Sequence, residues 1–209
     1  MFTKKYFLSI FFLLFFSSVW TGCDSVYRLL QKEGIADGDF MVVVNVGGNW
    51  DLKRWPQENF RALISRLIKE LNAKVVVPGA TKDRELACDI ASLLEVKPVV
   101  LAGRTSLKEL MALLKRASLV ISADSGPLHL AAGLGTRVIG LFGPTRPEIT
   151  GPRSPARWVV LQKDVGCRVP CYFASCSYRV CMDFLLPKEV FLETKKYWTC
   201  HETLSRHEY

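Results

Sequence analysis

The sequence predicts an α/β fold, a Rossmann-like doubly wound parallel sheet, and three observations carry that expectation. Short apolar runs alternate with helix-periodic segments about five times from residue 41 onward. The links between them are short. Glycines and prolines cluster just after the apolar runs, where a sheet of this kind places its ligand loops.

Met41 to Val46 is a short apolar run, as expected of a strand buried on both faces. Gln57 to Leu71 follows. Phe60, Leu63, Ile64, Leu67, Ile68 and Leu71 recur there in steps of three and one, tracing one face of a helix. Lys74 to Val77 reads as strand, ended by Pro78-Gly79. Asp83 to Leu94 reads as helix and Val99 to Leu101 as a short strand. Ser106 and Glu109 have the spacing of a capping box and open a helix to about Arg116. Leu119 to Ser122 is strand, and Pro127 to Leu134 a short helix with proline in its favoured first turn. Arg137 to Leu141 is strand again, Trp158 to Leu161 one more, and Pro187 to about Trp198 a closing helix.

The 209 residues suffice for one good-sized domain plus extras, and not for two full α/β domains. An apolar share of 49% against 23% charged indicates a real core. The net charge of +8 favours anionic partners: phosphorylated ligands, nucleic acid or an acidic membrane surface. The cations are spread along the chain without a dense block. Zinc-finger spacing and RNA-binding aromatic motifs are absent, so nucleic acid is not an expected partner.

Residues 1–23 differ in kind. Lys4 and Lys5 precede an apolar run from Tyr6 to Phe16, followed by small residues up to Gly22-Cys23. Three readings stay open: a secretory signal, a short membrane anchor, or the remnant of a truncated start. Residues 24–40 then form a linker helix, 41–198 the main domain with a cysteine-rich insert at 164–182, and 199–209 a polar tail.

Chemistry is expected in the loops at the carboxyl ends of the strands. In Asp124-Ser125-Gly126-Pro127-Leu128-His129 a strand ends, a tight turn follows and a helix starts. Unpaired backbone N–H groups and the helix dipole favour an anion at such a start. Gly126 lets a ligand approach closely, and Ser125 adds a hydroxyl. The plainer alternative has Asp124 or Ser125 merely capping the helix and His129 packing on the sheet. A second segment runs from Gly47-Gly48-Asn49 to Lys53-Arg54-Trp55-Pro56. Its glycines offer backbone donors and Lys53 a mobile charge, although the P-loop spacing is absent. A third is the rigid Phe142-Gly143-Pro144-Thr145 loop.

Taken together, these three segments resemble glycosyltransferase family 9, the lipopolysaccharide heptosyltransferases. Members show a glycine followed six residues later by Lys-x-Trp-Pro, then Asp-Ser/Thr-Gly-x-x-His-x-x-Ala-Ala, then Phe/Tyr-Gly-Pro-Thr. Here those stretches are Gly47 to Pro56, Asp124 to Ala132 and Phe142 to Thr145. The resemblance implies the C-terminal, donor-binding half of a GT-B-type glycosyltransferase. The implied donor is an ADP-activated sugar, ADP-heptose, and the transfer inverts the sugar onto a lipopolysaccharide core or similar glycan. Carried over by position, Gly48, Asn49, Lys53, Ser125, Gly126 and His129 would meet the diphosphate. Asp124 would contact the sugar or orient its loop. Asp83 or Glu85 would bind the ribose hydroxyls, and Thr105 would lie beside the adenine. No cofactor is required. The resemblance thus implies an enzyme, an inverting glycosyltransferase. Only about 40 residues precede the first strand, so the acceptor domain and its general base are not expected in this chain. That leaves open whether it transfers the sugar alone or only binds the donor. The implied location is the cytoplasm or the inner face of the membrane, with the apolar start leaving anchoring or export open.

Cys167, Cys171, Cys176 and Cys181 are separated by three, four and four residues. They are candidates for a metal, for disulfides in an exported chain, or for plain thiols; the tight pairs usual in metal sites are absent. Two rival functions stand beside the transferase reading: a sugar-nucleotide epimerase on the same scaffold, and a non-catalytic nucleotide-sugar-binding module.

Overall fold

A computed structural model of the chain describes residues 24–154, 158–171, 176 and 178–205. The signal-like or anchor-like segment 1–23 lies outside the described residues, as do 206–209.

Six parallel strands form one sheet in the order β3-β2-β1-β4-β5-β6. They are β1 (Met41–Asn45), β2 (Lys74–Val77), β3 (Val99–Val100), β4 (Leu119–Ala123), β5 (Val138–Phe142) and β6 (Trp158–Gln162). The chain moves outward from β1 to β3, then crosses back to lay β4 on the other side of β1. The strand order therefore reverses between β1 and β4. The loops leaving their carboxyl ends part to either side, and a crevice opens there.

Both faces of the sheet are covered, which is why its central strands read as unbroken apolar runs. Val42 and Val44 point into one core with Phe60, Leu63, Ile64 and Leu67 of α2 (Gln57–Leu71) and Ile90 of α3 (Arg84–Ser92). Met41 and Val43 point into the other. Helix α1, at 24–32, lies there with α4 (Leu107–Arg116) and α5 (Gly126–Gly133). The 3.6-residue stripe predicted for α2 is the buried one, and the helix ends where Asn72 turns left-handed at φ 49°. The capping box of α4 is formed as expected. The Ser106 hydroxyl accepts from the Glu109 amide at 3.3 Å, and the Glu109 carboxylate accepts from the Ser106 amide at 2.7 Å.

Leu67 sits at 0% exposure in the middle of this stripe. Leu67→Ala is expected to cost about 2–5 kcal/mol of stability, read as a lowered denaturant midpoint at unchanged slope.

The larger departures from expected boundaries fall in three elements. α3 begins at Arg84 because Thr81–Asp83 closes first into a 3-10 turn, and it stops at Ser92. β3 keeps only Val99–Val100, although the Leu101 amide still donates to Val77 O of β2 at 2.9 Å. The closing helix runs from Pro187 to Ser205, past the expected end near Trp198. Beyond Trp198 its threonine hydroxyls bond back to the helix's own carbonyls. Thr199 donates to Lys195 O at 3.0 Å and Thr203 to Thr199 O at 2.9 Å. His201 lies 5.2 Å, centroid to centroid, from the Phe40 ring, which ties that extension to the domain.

Candidate functional site

A cavity of about 440 Å³ opens at the carboxyl ends of the sheet. One wall is the loop after β1. Gly47, Gly48 and Asn49 line it, followed by Trp50 and Lys53. Buried Leu52 roots the 3-10 turn Asp51–Lys53. The Arg54 guanidinium holds the loop from behind, donating to Gly48 O at 2.6 and 3.1 Å. Lys53 is thereby presented forward. Its ammonium lies 2.7 Å from Asp124 Oδ2 and 5.4 Å from the centre of the Trp50 ring.

The facing wall is the turn from β4 into α5, where Asp124, Ser125 and Gly126 line the cavity. Ser125 makes no side-chain capping bond, so its hydroxyl is not consumed in closing the helix. A Cβ on Gly126 would meet nothing within 4 Å, so open space lies directly against the backbone there. His129 stands one turn further on, outside the cavity lining, with Nε2 3.4 Å from Asp124 Oδ1.

Asp124 is the hub of the site. Its Oδ2 accepts from Lys53, from the Thr145 hydroxyl at 2.8 Å and from the Thr150 hydroxyl at 2.9 Å. Gln162, at the end of β6, donates to Thr145 O at 2.8 Å and Gly143 O at 3.1 Å, which fixes the Gly-Pro-Thr loop that delivers Thr145. Burial pushes the Asp124 carboxyl up. The hydrogen bonds from Lys53, Thr145 and Thr150, with the Lys53 charge, outweigh burial and hold the carboxyl below the ordinary aspartate range. A carboxylate lowered in the folded state adds stability that is complete above its unfolded value, about 3.9, and is lost as pH falls through the lowered value. Thr145→Val keeps the shape of this buried side chain and removes one donor. The variant is expected to be about 2 kcal/mol less stable near neutrality, with the deficit narrowing below about pH 4. Urea titrations of both proteins across pH check it.

Asp83, Thr105 and Leu107 also line the cavity, Asp83 directly against the glycine loop. The Asp83 carboxylate is partly engaged, accepting from the Ala80 amide at 3.0 Å and packing against Gly47. Glu85 is exposed and does not line the cavity: the 3-10 turn at 81–83 places it on the outer side of α3. Of the two acidic candidates for the ribose end, Asp83 is the one at the cavity.

Sequence reasoning assigned no role to Asn45, Trp50 and Lys82 in the lining or to Thr150 behind it, and it named Thr145 only as part of the Gly-Pro-Thr segment, without its partner Asp124. Asn45 carried a usable signal, a lone amide in the run Met-Val-Val-Val-Asn-Val. Lys82 reaches back to the Asn49 side-chain oxygen, a contact over 33 positions that no local pattern announces.

The four cysteines come together elsewhere. Cys167, Cys171, Cys176 and Cys181 line a cavity of about 30 Å³ with Gly143, Pro144 and Leu52. All four are free thiols. Burial pushes the Cys181 thiol above its ordinary value, with Cys167 and Cys176 adding to that. Among the described residues no group of three His, Cys, Asp or Glu side chains is arranged to hold a metal ion.

Fold and site together define a Rossmann-like domain with a cation, free backbone and hydroxyls gathered at its topological switch point. The pattern of glycosyltransferase family 9 (heptosyltransferase) matches residues 24–178, and the chain belongs to that family. It is 34% identical over 155 residues to lipopolysaccharide heptosyltransferase 1 of Pseudomonas aeruginosa, covering 72% of this chain and 42% of that protein. The crystal structure of a family 9 glycosyl transferase from Veillonella parvula shares 30% identity at a TM-score of 0.64, over 68% of this chain and 40% of that one. The E. coli heptosyltransferase WaaC with ADP matches at 26% identity and a TM-score of 0.62, over 78% of this chain and 46% of that one. The chain thus spans less than half the length of each of these three.

Proposed function

We propose that this chain is the donor-binding part of a heptosyltransferase, and that its cavity takes an ADP-activated heptose for inverting transfer to a lipopolysaccharide core. The observation that carries this is the Lys53–Asp124 pair set between a glycine loop and the start of α5. A nucleoside diphosphate leaving group develops negative charge as the glycosidic bond to phosphate breaks. Donors fixed beforehand stabilise it without reorganisation. Lys53 supplies the charge, Ser125 a hydroxyl, and Gly48, Asn49 and Gly126 the backbone approach. His129, beside Asp124, adds a ring nitrogen next to the same turn. Asp83 is placed for the ribose hydroxyls. The base is assigned to the part of the cavity lined by Thr105 and Leu107, a reading supported by the exposed leucine, which offers an apolar wall. The WaaC structure with ADP, similar in sequence as well as fold, supports adenine as the base.

In this reading the site needs no metal, because Lys53 and the helix start do the electrostatic work. The acceptor is a lipopolysaccharide core glycan, and the basic balance of the chain suits work at an anionic membrane surface. No helix among the described residues is long and apolar enough to cross a membrane.

Calorimetric titration of the chain with ADP-heptose, ADP, UDP and GDP tests the proposal. ADP and ADP-heptose are expected to bind at least tenfold more tightly than the other two. Equal binding of all four diphosphates would remove the adenine assignment, and no binding would remove the donor site.

A further inference from the structure

Asn45 closes β1 and is 3% exposed, a polar side chain where the rest of the strand is Met-Val-Val-Val. Across the parallel ladder it stands in register with Ser122 of β4. Its amide Nδ2 lies 3.0 Å from Ser122 Oγ, 3.2 Å from Ser125 Oγ and 3.2 Å from Gly47 O. A carbonyl can only accept, so Gly47 O fixes the amide with its NH2 group on this side.

The direction of the remaining protons then follows. The Ser122 hydroxyl donates to Ala123 O at 2.8 Å, so its proton is used. In the 3.0 Å contact between Ser122 and Ser125, Ser125 must be the donor. The Asn45 amide has two protons. With one on Gly47 O, the other is shared between Ser122 Oγ and Ser125 Oγ, so Ser125 accepts a shared bond and keeps one proton that it can redirect. It also lines the cavity. A phosphate oxygen is a stronger acceptor than a serine hydroxyl and draws that proton outward. The bond from Asn45 persists meanwhile and polarises the hydroxyl in the useful direction.

We propose that Asn45 is a positioning residue for the donor diphosphate. It orients the Ser125 hydroxyl to donate into the cavity, and through Gly47 O it ties the glycine loop to the Asp-Ser-Gly turn at one spacing. This rests on the reading of the cavity as an ADP-sugar site.

The test uses the full 209-residue chain. ADP is titrated by calorimetry and adenosine by ligand-observed NMR. The proteins are wild type, Asn45→Ala, Asn45→Asp, Ser125→Ala and the double alanine variant. Asn45→Ala is expected to weaken ADP about tenfold, the worth of one oriented hydrogen bond, and to leave adenosine within about twofold. Asn45→Asp matches the shape but reverses the chemistry. Its carboxylate takes the Ser125 proton and sets a negative charge beside the phosphates, so ADP should weaken by about a hundredfold or more. In the Ser125→Ala background, Asn45→Ala should cost less than about threefold, because the hydroxyl it orients is gone. Wild-type ADP affinity in both Asn45 variants would overturn the proposal. So would equal losses for ADP and adenosine, the mark of a general structural defect. Wild type that binds adenosine but gains nothing from the diphosphate would overturn the donor-site reading itself, a different result from either.

Discussion

Lys53→Ala is expected to weaken ADP binding by about a hundredfold while leaving the domain folded. Among the described residues the Lys53 ammonium is the one lysine or arginine cation paired to Asp124, held 2.7 Å from its carboxylate. Its side chain is 23% exposed and that of Asp124 5%. The pair is therefore screened much less than an ion pair on open surface. A charge-assisted contact to phosphate in such a place is worth about 2–3 kcal/mol, which is roughly 30- to 150-fold in affinity. Stability should fall by less than breaking a fully buried pair would cost, by about 1–2 kcal/mol, because the Thr145 and Thr150 hydroxyls still donate to Asp124. Calorimetry with ADP and a urea melt separate the two effects. Unchanged ADP affinity would take Lys53 out of the site.

Gly47→Ala should be nearly as damaging, for a steric reason. A Cβ at this position would stand 2.7 Å from Asp83 Cγ and 2.8 and 2.9 Å from its two carboxylate oxygens. Asp83 is buried and holds the Ala80 amide, so it cannot swing aside without losing that bond. The expected cost is about 1–3 kcal/mol of stability. Because Gly47 O is also a partner of Asn45, the shift should reach the phosphate end, and ADP affinity should fall about tenfold or more. Gly133→Ala is the control. Gly133 lies in α5 outside the cavity lining, and its Cβ would meet nothing within 4 Å. Loss of ADP binding confined to Gly47→Ala supports the close approach of Asp83 and Gly47; equal loss in both variants contradicts it.

Much of the fold was legible because its strongest signals are local. The stripe of α2, the capping box of α4 and the apolar runs of β1, β4 and β5 each depend on neighbours in sequence, and each stands where its pattern put it. The end of the closing helix was not legible. Its last turns are polar, and they carry a ring contact from His201 to Phe40, 161 positions away. The loops forming the two main walls of the cavity were legible in the same way, as glycines after strands and a proline-started helix. What ties them together was not. Thr145 and Thr150 reach Asp124 over 21 and 26 positions, and Asn45 reaches Ser125 over 80. Such pairings arise only when the crossover sets β4 beside β1 and the next strand sets β5 beside β4. The same geometry separates Asp83 from Glu85: two residues apart, one faces the cavity and the other solvent.

A crystal structure of the chain with ADP tests the central claim most directly. The diphosphate should lie between the Gly47–Asn49 loop and the start of α5, within hydrogen-bonding reach of Lys53 and the Ser125 hydroxyl, with the adenine toward Thr105. ADP seated elsewhere, or with its diphosphate directed away from Lys53 and Ser125, would contradict it.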